Sequence, residues 1–188
     1  MNSTTKRSAL IALVLAFTFA VGCSMLSDET DKANKLVTEG NTAIDEGNKL
    51  ATDGSAKNDK LFDEISADNF AADKEKLTPT AKEAVDMMTK AAAKYRDASK
   101  KFDEASKLKI GDKFKEYLTL KSQEFAKRAE HMETATKNSQ AVLDSADAAA
   151  LMAKVTANKP QLEKLDKESK DLKEKADKIQ AANKDSIK

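Results

Sequence analysis

LVTEGNTAIDEGNKLATDGS, Leu36 to Ser55, repeats an acid, a glycine and a small polar residue every seven positions: Glu39-Gly40-Asn41, Glu46-Gly47-Asn48 and Asp53-Gly54-Ser55. Glycine inside a helix costs roughly 1 kcal/mol against alanine. A helix holding three of them needs a neighbour that uses the missing side chains. Val37 and Ile44 fall on the glycine face, and Ala51, Leu61 and Ile65 continue the helical spacing. The stretch reads as the packed face of a first helix over 28–66.

The neighbour follows in the chain. Periodicity lapses around Asp68 to Thr78, and Thr78-Pro79 then reads as the cap and first position of a second helix over 79–109. Its seam is Ala81, Val85, Met88, Ala92, Tyr95, Ser99 and Phe102, spaced by fours and threes. Beside it Ala84, Ala91, Ala98 and Ala105 recur every seven residues. An antiparallel hairpin folded about the centre of that lapse sets Gly54 against Ala91, Gly47 against Ala98 and Gly40 against Ala105, with facing numbers adding to about 145. These six positions are predicted to form a small-residue interface at or below the ~8 Å lower end of helix packing distances.

Ile110-Gly111-Asp112 reads as a left-handed glycine ending the second helix and an aspartate capping the third. A third helix over 113–156 would be the longest rod, roughly 65 Å at ~1.5 Å per residue. Its Ala-rich second half, Asp144 to Val155, is the part expected to remain for a partner. Pro160 is read as opening a fourth helix over 160–184 with the seam Leu162, Leu165, Ser169, Leu172, Ala176 and Ile179. Glu163–Lys167, Asp171–Lys175 and Glu174–Lys178 are expected as ion pairs four apart, ~0.3 kcal/mol each. The fold class is therefore all-α: an antiparallel up-down-up-down four-helix bundle of unequal, coiled-coil-like rods.

The chain opens differently. Lys6 and Arg7 precede thirteen residues, Ala9 to Val21, in which only Thr18 is polar. A membrane-crossing helix needs about 20 apolar residues, so the run is too short to span and fits a secretory signal. It closes on Ala20-Val21-Gly22-Cys23, and Cys23 is the chain's sole cysteine. Residues 1–24 resemble bacterial lipoprotein precursors. The resemblance implies that a peptidase recognises Ala20, Val21 and Gly22 and cuts before Cys23, that a diacylglycerol sits on its thiol and an acyl chain on its amine, and that 23–27 is a lipidated tether to the single domain 28–188. Ser24, where aspartate would signal inner-membrane retention, implies the outer membrane in a Gram-negative cell envelope. The plan is also similar to that of murein-linked outer-membrane lipoproteins, in which a C-terminal lysine is joined to peptidoglycan; Lys188 is the corresponding position here.

Composition narrows the chemistry. The 1–22 leader holds two of the 33 cations and none of the 32 acids, which leaves 31 against 32 and a net charge of −1. That balance gives no electrostatic case for nucleic acid. With the one thiol lipidated, no disulfide forms and no thiol nucleophile remains. His131, the sole histidine, has neither a second histidine for a paired Glu-x-x-His site nor a Cys-x-x-Cys-His run beside it. It reads as a boundary side chain, and the carboxylates read as solvated faces. The expectation is a non-catalytic, lipid-anchored structural or protein-interaction module, without metal or cofactor beyond the acyl chains, able to bind a protein partner or a second copy. Two other classes fit the composition: a stress-protective protein similar to late-embryogenesis-abundant proteins, and a bundle holding a small apolar ligand in the space left by the glycines.

Overall fold

The computed structural model describes residues 27–184 together with Ile187. Four helices and no strand are present among them: α1 (Ser27–Glu64), α2 (Phe70–Ser106), α3 (Asp112–Asp144) and α4 (Ala148–Ala182). They run up, down, up and down as a four-helix bundle. At ~1.5 Å per residue each is a rod of roughly 50–57 Å. No rod outruns the others, which corrects the expectation of a long third helix.

Three boundaries differ from the sequence reading, each for a physical reason. α2 begins at Phe70, and Pro79 lies inside it. α4 begins at Ala148, and Pro160 lies inside it. An internal proline removes one helical hydrogen bond at a cost of about 3 kcal/mol. Both prolines are exposed, so the carbonyls they release are free to bind water. The apolar heptads also run straight through them. Phe70 and Leu77 are buried in register with Ala84, and Leu151 in register with Leu165, and that burial offsets the lost bonds. The third difference is the chain break at Ser145-Ala146-Asp147, where one long helix was expected. Asp147 caps α4 by accepting from the Ala150 N–H at 2.8 Å, and Ser145 is extended with ψ 141°. The Ala-rich segment therefore forms the opening turns of α4.

The turn before α2 is tied by Asp73, whose carboxylate accepts from the Ser66 N–H at 2.9 Å and its hydroxyl at 2.8 Å. Those two donors hold the Asp73 carboxyl below the ordinary range. Gly111 is the N-cap of α3 with φ −58°. It is not left-handed, and Asp112 is the first helical residue rather than the cap.

Contacts run between consecutive helices: α1 on α2, α2 on α3, α3 on α4, with slight contact between α1 and α3. Among the described residues α1 and α4 are not packed on each other, so the bundle is open along that edge. Two core clusters follow. Tyr95, Phe102, Phe114, Leu118, Phe125 and Ile187 gather near the start of α1. Leu61, Phe70, Leu77, Met88, Val142 and Leu151 fill the opposite end. There the first turns of α2 reach beyond α1 and meet the α3–α4 turn, where the Lys74 ammonium donates to the Ser145 carbonyl at 2.7 Å.

Candidate functional site

The heptad glycines organise the first interface. A β-carbon on Gly40 would lie 3.2 Å from the Phe102 ring; on Gly47, 2.9 Å from the Tyr95 ring; on Gly54, 2.8 Å from Met88 Cγ. In all three pairs the residue numbers add to 142. The predicted pairing of Gly54, Gly47 and Gly40 with Ala91, Ala98 and Ala105 is therefore three residues out of register. Ala91, Ala98 and Ala105 are fully buried, and at this register Ala98 stands level with Ile44 and Ala105 with Val37. Small residues face large ones on both helices, so each bulky side chain settles where its neighbour has none.

The acid preceding each glycine has its own partner. Glu39 pairs with Lys101 at 2.7 Å, and Glu46 pairs with Lys94. Those lysines directly precede Phe102 and Tyr95. Glu-Gly on α1 is thus read by Lys-aromatic on α2, twice, and Asp53-Gly54 meets Met87-Met88 without the cation. Glu39 is held below, and Lys94 and Lys101 above, their ordinary values, in each case chiefly by the hydrogen bond to the partner. Space beside Gly47 and Gly54 is occupied by Tyr95 and Met88, which leaves no room there for an apolar ligand.

At the centre of the α2–α3 interface Phe125 lies 5.9 Å, ring to ring, from both Tyr95 and Phe102. The Tyr95 hydroxyl donates to Asn48 Oδ1 at 2.8 Å, and burial raises its pKa. Lys121 Nζ and Arg128 Cζ stand 4.7 and 5.1 Å from the Phe125 ring centre. The same two cations bracket Glu124, which is 0% exposed, at 2.7 and 2.8 Å. The reading of all carboxylates as solvated faces fails at Glu124. Its signal was present in Lys121-x-x-Glu124-x-x-x-Arg128, two cations three and four residues away on either side of an acid beside a buried ring. Lys121 hydrogen-bonds Oε2, whereas Arg128 stands 2.8 Å from Oε1, which is buried without a hydrogen bond, so the acid is held electrostatically between two cations.

α3 and α4 meet through polar pairs. Asn158 donates to Asn138 at 2.8 Å, and Lys127 lies 3.3 Å from Glu168. The α4 ion pairs are Lys159–Glu163, Lys164–Glu168, Asp166–Lys170 and Lys173–Asp177, not the three expected. His131 is half-buried, and loss of solvation holds its pKa below the usual value despite Asp166 nearby. Burial, with Glu124 and Asp177 adding to it, pushes Tyr117 up to about 12.

No cluster of three or more His, Cys, Asp or Glu able to hold a metal exists among the described residues. A shallow hollow of about 270 Å³ lies between α2 and α3, lined by Thr89, Ala92, Ala93, Arg96, Glu133 and Thr136. Arg96 and Glu133 close its rim through two 2.7 Å hydrogen bonds. Of the residues singled out from the sequence, the seam residue Ala92 lines it. Among the described residues no helix is long and apolar enough to cross a membrane. Ala20, Val21, Gly22, Cys23 and Lys188 lie outside the described residues. No protein-family model, curated protein or solved structure matches the chain.

Proposed function

We propose that this chain is a lipid-anchored, non-catalytic structural or protein-interaction module of the cell envelope. The observation carrying this reading is the order Lys6-Arg7, thirteen residues apolar but for Thr18, then Ala20-Val21-Gly22-Cys23, followed almost at once by helix. α1 starts at Ser27. Four Cα steps of at most ~3.6 Å each keep its first residue within about 15 Å of the acylated cysteine. The rods would then stand on the membrane surface, with the α1–α2 and α3–α4 turns at the far end. Two or more acyl chains make such anchoring stable, at ~0.8 kcal/mol per buried methylene. Glu124, the one buried carboxylate among the described residues, lies between two cations, which supports a scaffold over a reaction centre.

The test is the intact mass of the protein extracted from membranes after muramidase digestion, beside a Cys23→Ser form. A chain beginning at Cys23 with added acyl mass is expected, and Cys23→Ser should lose it. A muropeptide on Lys188 would add a wall link to the membrane anchor. An extracted chain without acyl mass would overturn the reading.

A further inference from the structure

We propose that α4 is an acid-released strap: protonation of His131 frees it from α3 while α1, α2 and α3 stay packed together. The inference does not depend on the anchored reading above.

α3 and the residue after it carry a heptad that the apolar seams leave unexplained: Tyr117, Glu124, His131, Asn138 and Ser145, five polar side chains seven positions apart. Glu124, Asn138 and Ser145 are buried, and Tyr117 and His131 are half-buried. Their cover is α4, whose only extensive contact is with α3. Asn158 donates to Asn138 and Lys127 lies 3.3 Å from Glu168, so facing numbers add to about 296. That register sets Leu151, Leu165, Leu172 and Ile179, which share one heptad of α4 with Asn158, level with Ser145, His131, Glu124 and Tyr117. An apolar row is laid along a polar one. Leu165 is 1% exposed and yet belongs to neither apolar core cluster. Four buried side-chain oxygens lack a hydrogen bond among the described residues, and three of them, on Glu124, Ser145 and Glu168, lie here. An interface so matched has little binding energy in reserve to bury a further charge.

His131 is where that charge arrives. It stands at the middle of the polar row, and it is the one side chain there whose ordinary ionisation falls between pH 5 and 8. Around it, α4 presents Asp166 and Lys170, whose charges act on it in opposite directions. On α3, Lys127 is engaged by Glu130 and Glu168, and Arg128 by Glu124. On α2, Asp86 pairs with Lys90 and Arg96 with Glu133. α1 meets α3 only slightly, and its Lys49 and Asp53 are exposed. Asp166 acts on the imidazole across space and not through a hydrogen bond, so loss of solvation prevails and keeps His131 less basic than usual in the folded chain. Its folded value lies below the unfolded value of 6.5. The hold on α4 is therefore complete above pH 6.5 and weakens as pH falls through the folded value. Because α4 is the cover, its departure returns water to the imidazole without the rest of the bundle opening. The leucines of α4 and the polar row of α3 then become accessible together.

The experiment is hydrogen exchange read by mass spectrometry on the full chain from about pH 7.5 to about pH 5, with rates converted to protection factors at each pH. Protection across α4 should fall on acidification, by at most about tenfold per pH unit, the limit for one proton. α1 and α2 should hold theirs. His131→Gln, neutral throughout, should keep α4 protected at the acid end. His131→Lys, charged throughout, should leave α4 unprotected even at the alkaline end; if that variant does not fold, the His131→Gln comparison decides alone. Because His131 is the chain's sole histidine, one imidazole proton resonance gives its midpoint, expected below 6.5 and moving toward 6.5 in Leu165→Ala, which loosens α4. Equal protection of α4 at both ends of the range, an acid loss just as large in His131→Gln, or α1 and α2 loosening in step with α4 would each overturn the proposal.

Discussion

The α1–α2 and α3–α4 interfaces join antiparallel helices of similar length by opposite means. α2 buries eleven side chains, whereas α4 buries only Leu151, Leu165, Ser169 and Ala176. In the first interface three glycines admit Phe102, Tyr95 and Met88 to within contact of the facing backbone. A one-step slip would drive rings into side chains, so a single register is enforced. In the second, a narrow apolar stripe is supplemented by Asn138–Asn158 and Lys127–Glu168. Such pairs are largely replaceable by water, so α4 should be the first helix to open.

The largest test of that contrast removes one large side chain from each interface. Phe102→Ala should destabilise the protein by about 3–5 kcal/mol, because a fully buried ring leaves a cavity between three helices. Leu165→Ala should cost about 2–3 kcal/mol, at the low end for its type, because α4 can settle into the space. Urea unfolding followed by circular dichroism measures both. A greater loss from Leu165→Ala would reverse the ranking of the interfaces.

The glycines sharpen the first interface. At Gly47 a valine would put carbon 2.9 Å from the Tyr95 ring and 3.2 Å from Lys94 Cβ. Overpacking of that kind should cost about 1–3 kcal/mol even after the gain in helix propensity. Gly111 has nothing within 4 Å of a β-carbon and an ordinary φ, so Gly111→Ala should change stability by less than about 0.5 kcal/mol. Equal thermal shifts for the two would remove the special standing of the glycine face.

For the α4 end, Asp147→Ala deletes the side-chain cap and should cost about 1 kcal/mol. Hydrogen exchange should quicken from Ala150 through the first turns of α4 and hardly at all in α1. Uniform acceleration through all four helices would mean that α4 does not open separately.

Four antiparallel helices and a glycine face turned toward the second helix were legible because heptad spacing reports burial directly. The start of α2 was not, since Pro79 resembles a helix opening. The heptad Phe70, Leu77, Ala84, Ala91, Ala98 and Ala105 already ran through it, and it outweighed one missing hydrogen bond. The same held at Pro160 between Leu151 and Leu165. Ser145-Ala146-Asp147 was hidden by alanines on both sides, where helix propensity gives no sign of a stop. Glu124 was hidden by its charge: a buried acid is foreseen only from cations placed to neutralise it, and Lys121 and Arg128 were those cations.

The smallest expected effect is spectroscopic, and the absence of tryptophan makes it clean. Tyr95 reports on α1–α2 and α2–α3 packing, and Tyr117, beside Asp177 of α4, reports on the α3–α4 side. Ultraviolet titration of the folded protein should find Tyr117 ionising near 12 and Tyr95 also above the ordinary phenol value of 10. Because folding raises both values, their contribution to stability is intact below pH 10, the unfolded value, and is lost as pH climbs toward 12. If α4 leaves α3 before the rest of the bundle opens, Leu165→Ala should lower the Tyr117 midpoint toward 10 while Tyr95 stays high. Two tyrosines moving together would mean that the bundle opens as one unit, and that the weaker look of the α3–α4 interface has no consequence for the order in which the helices separate.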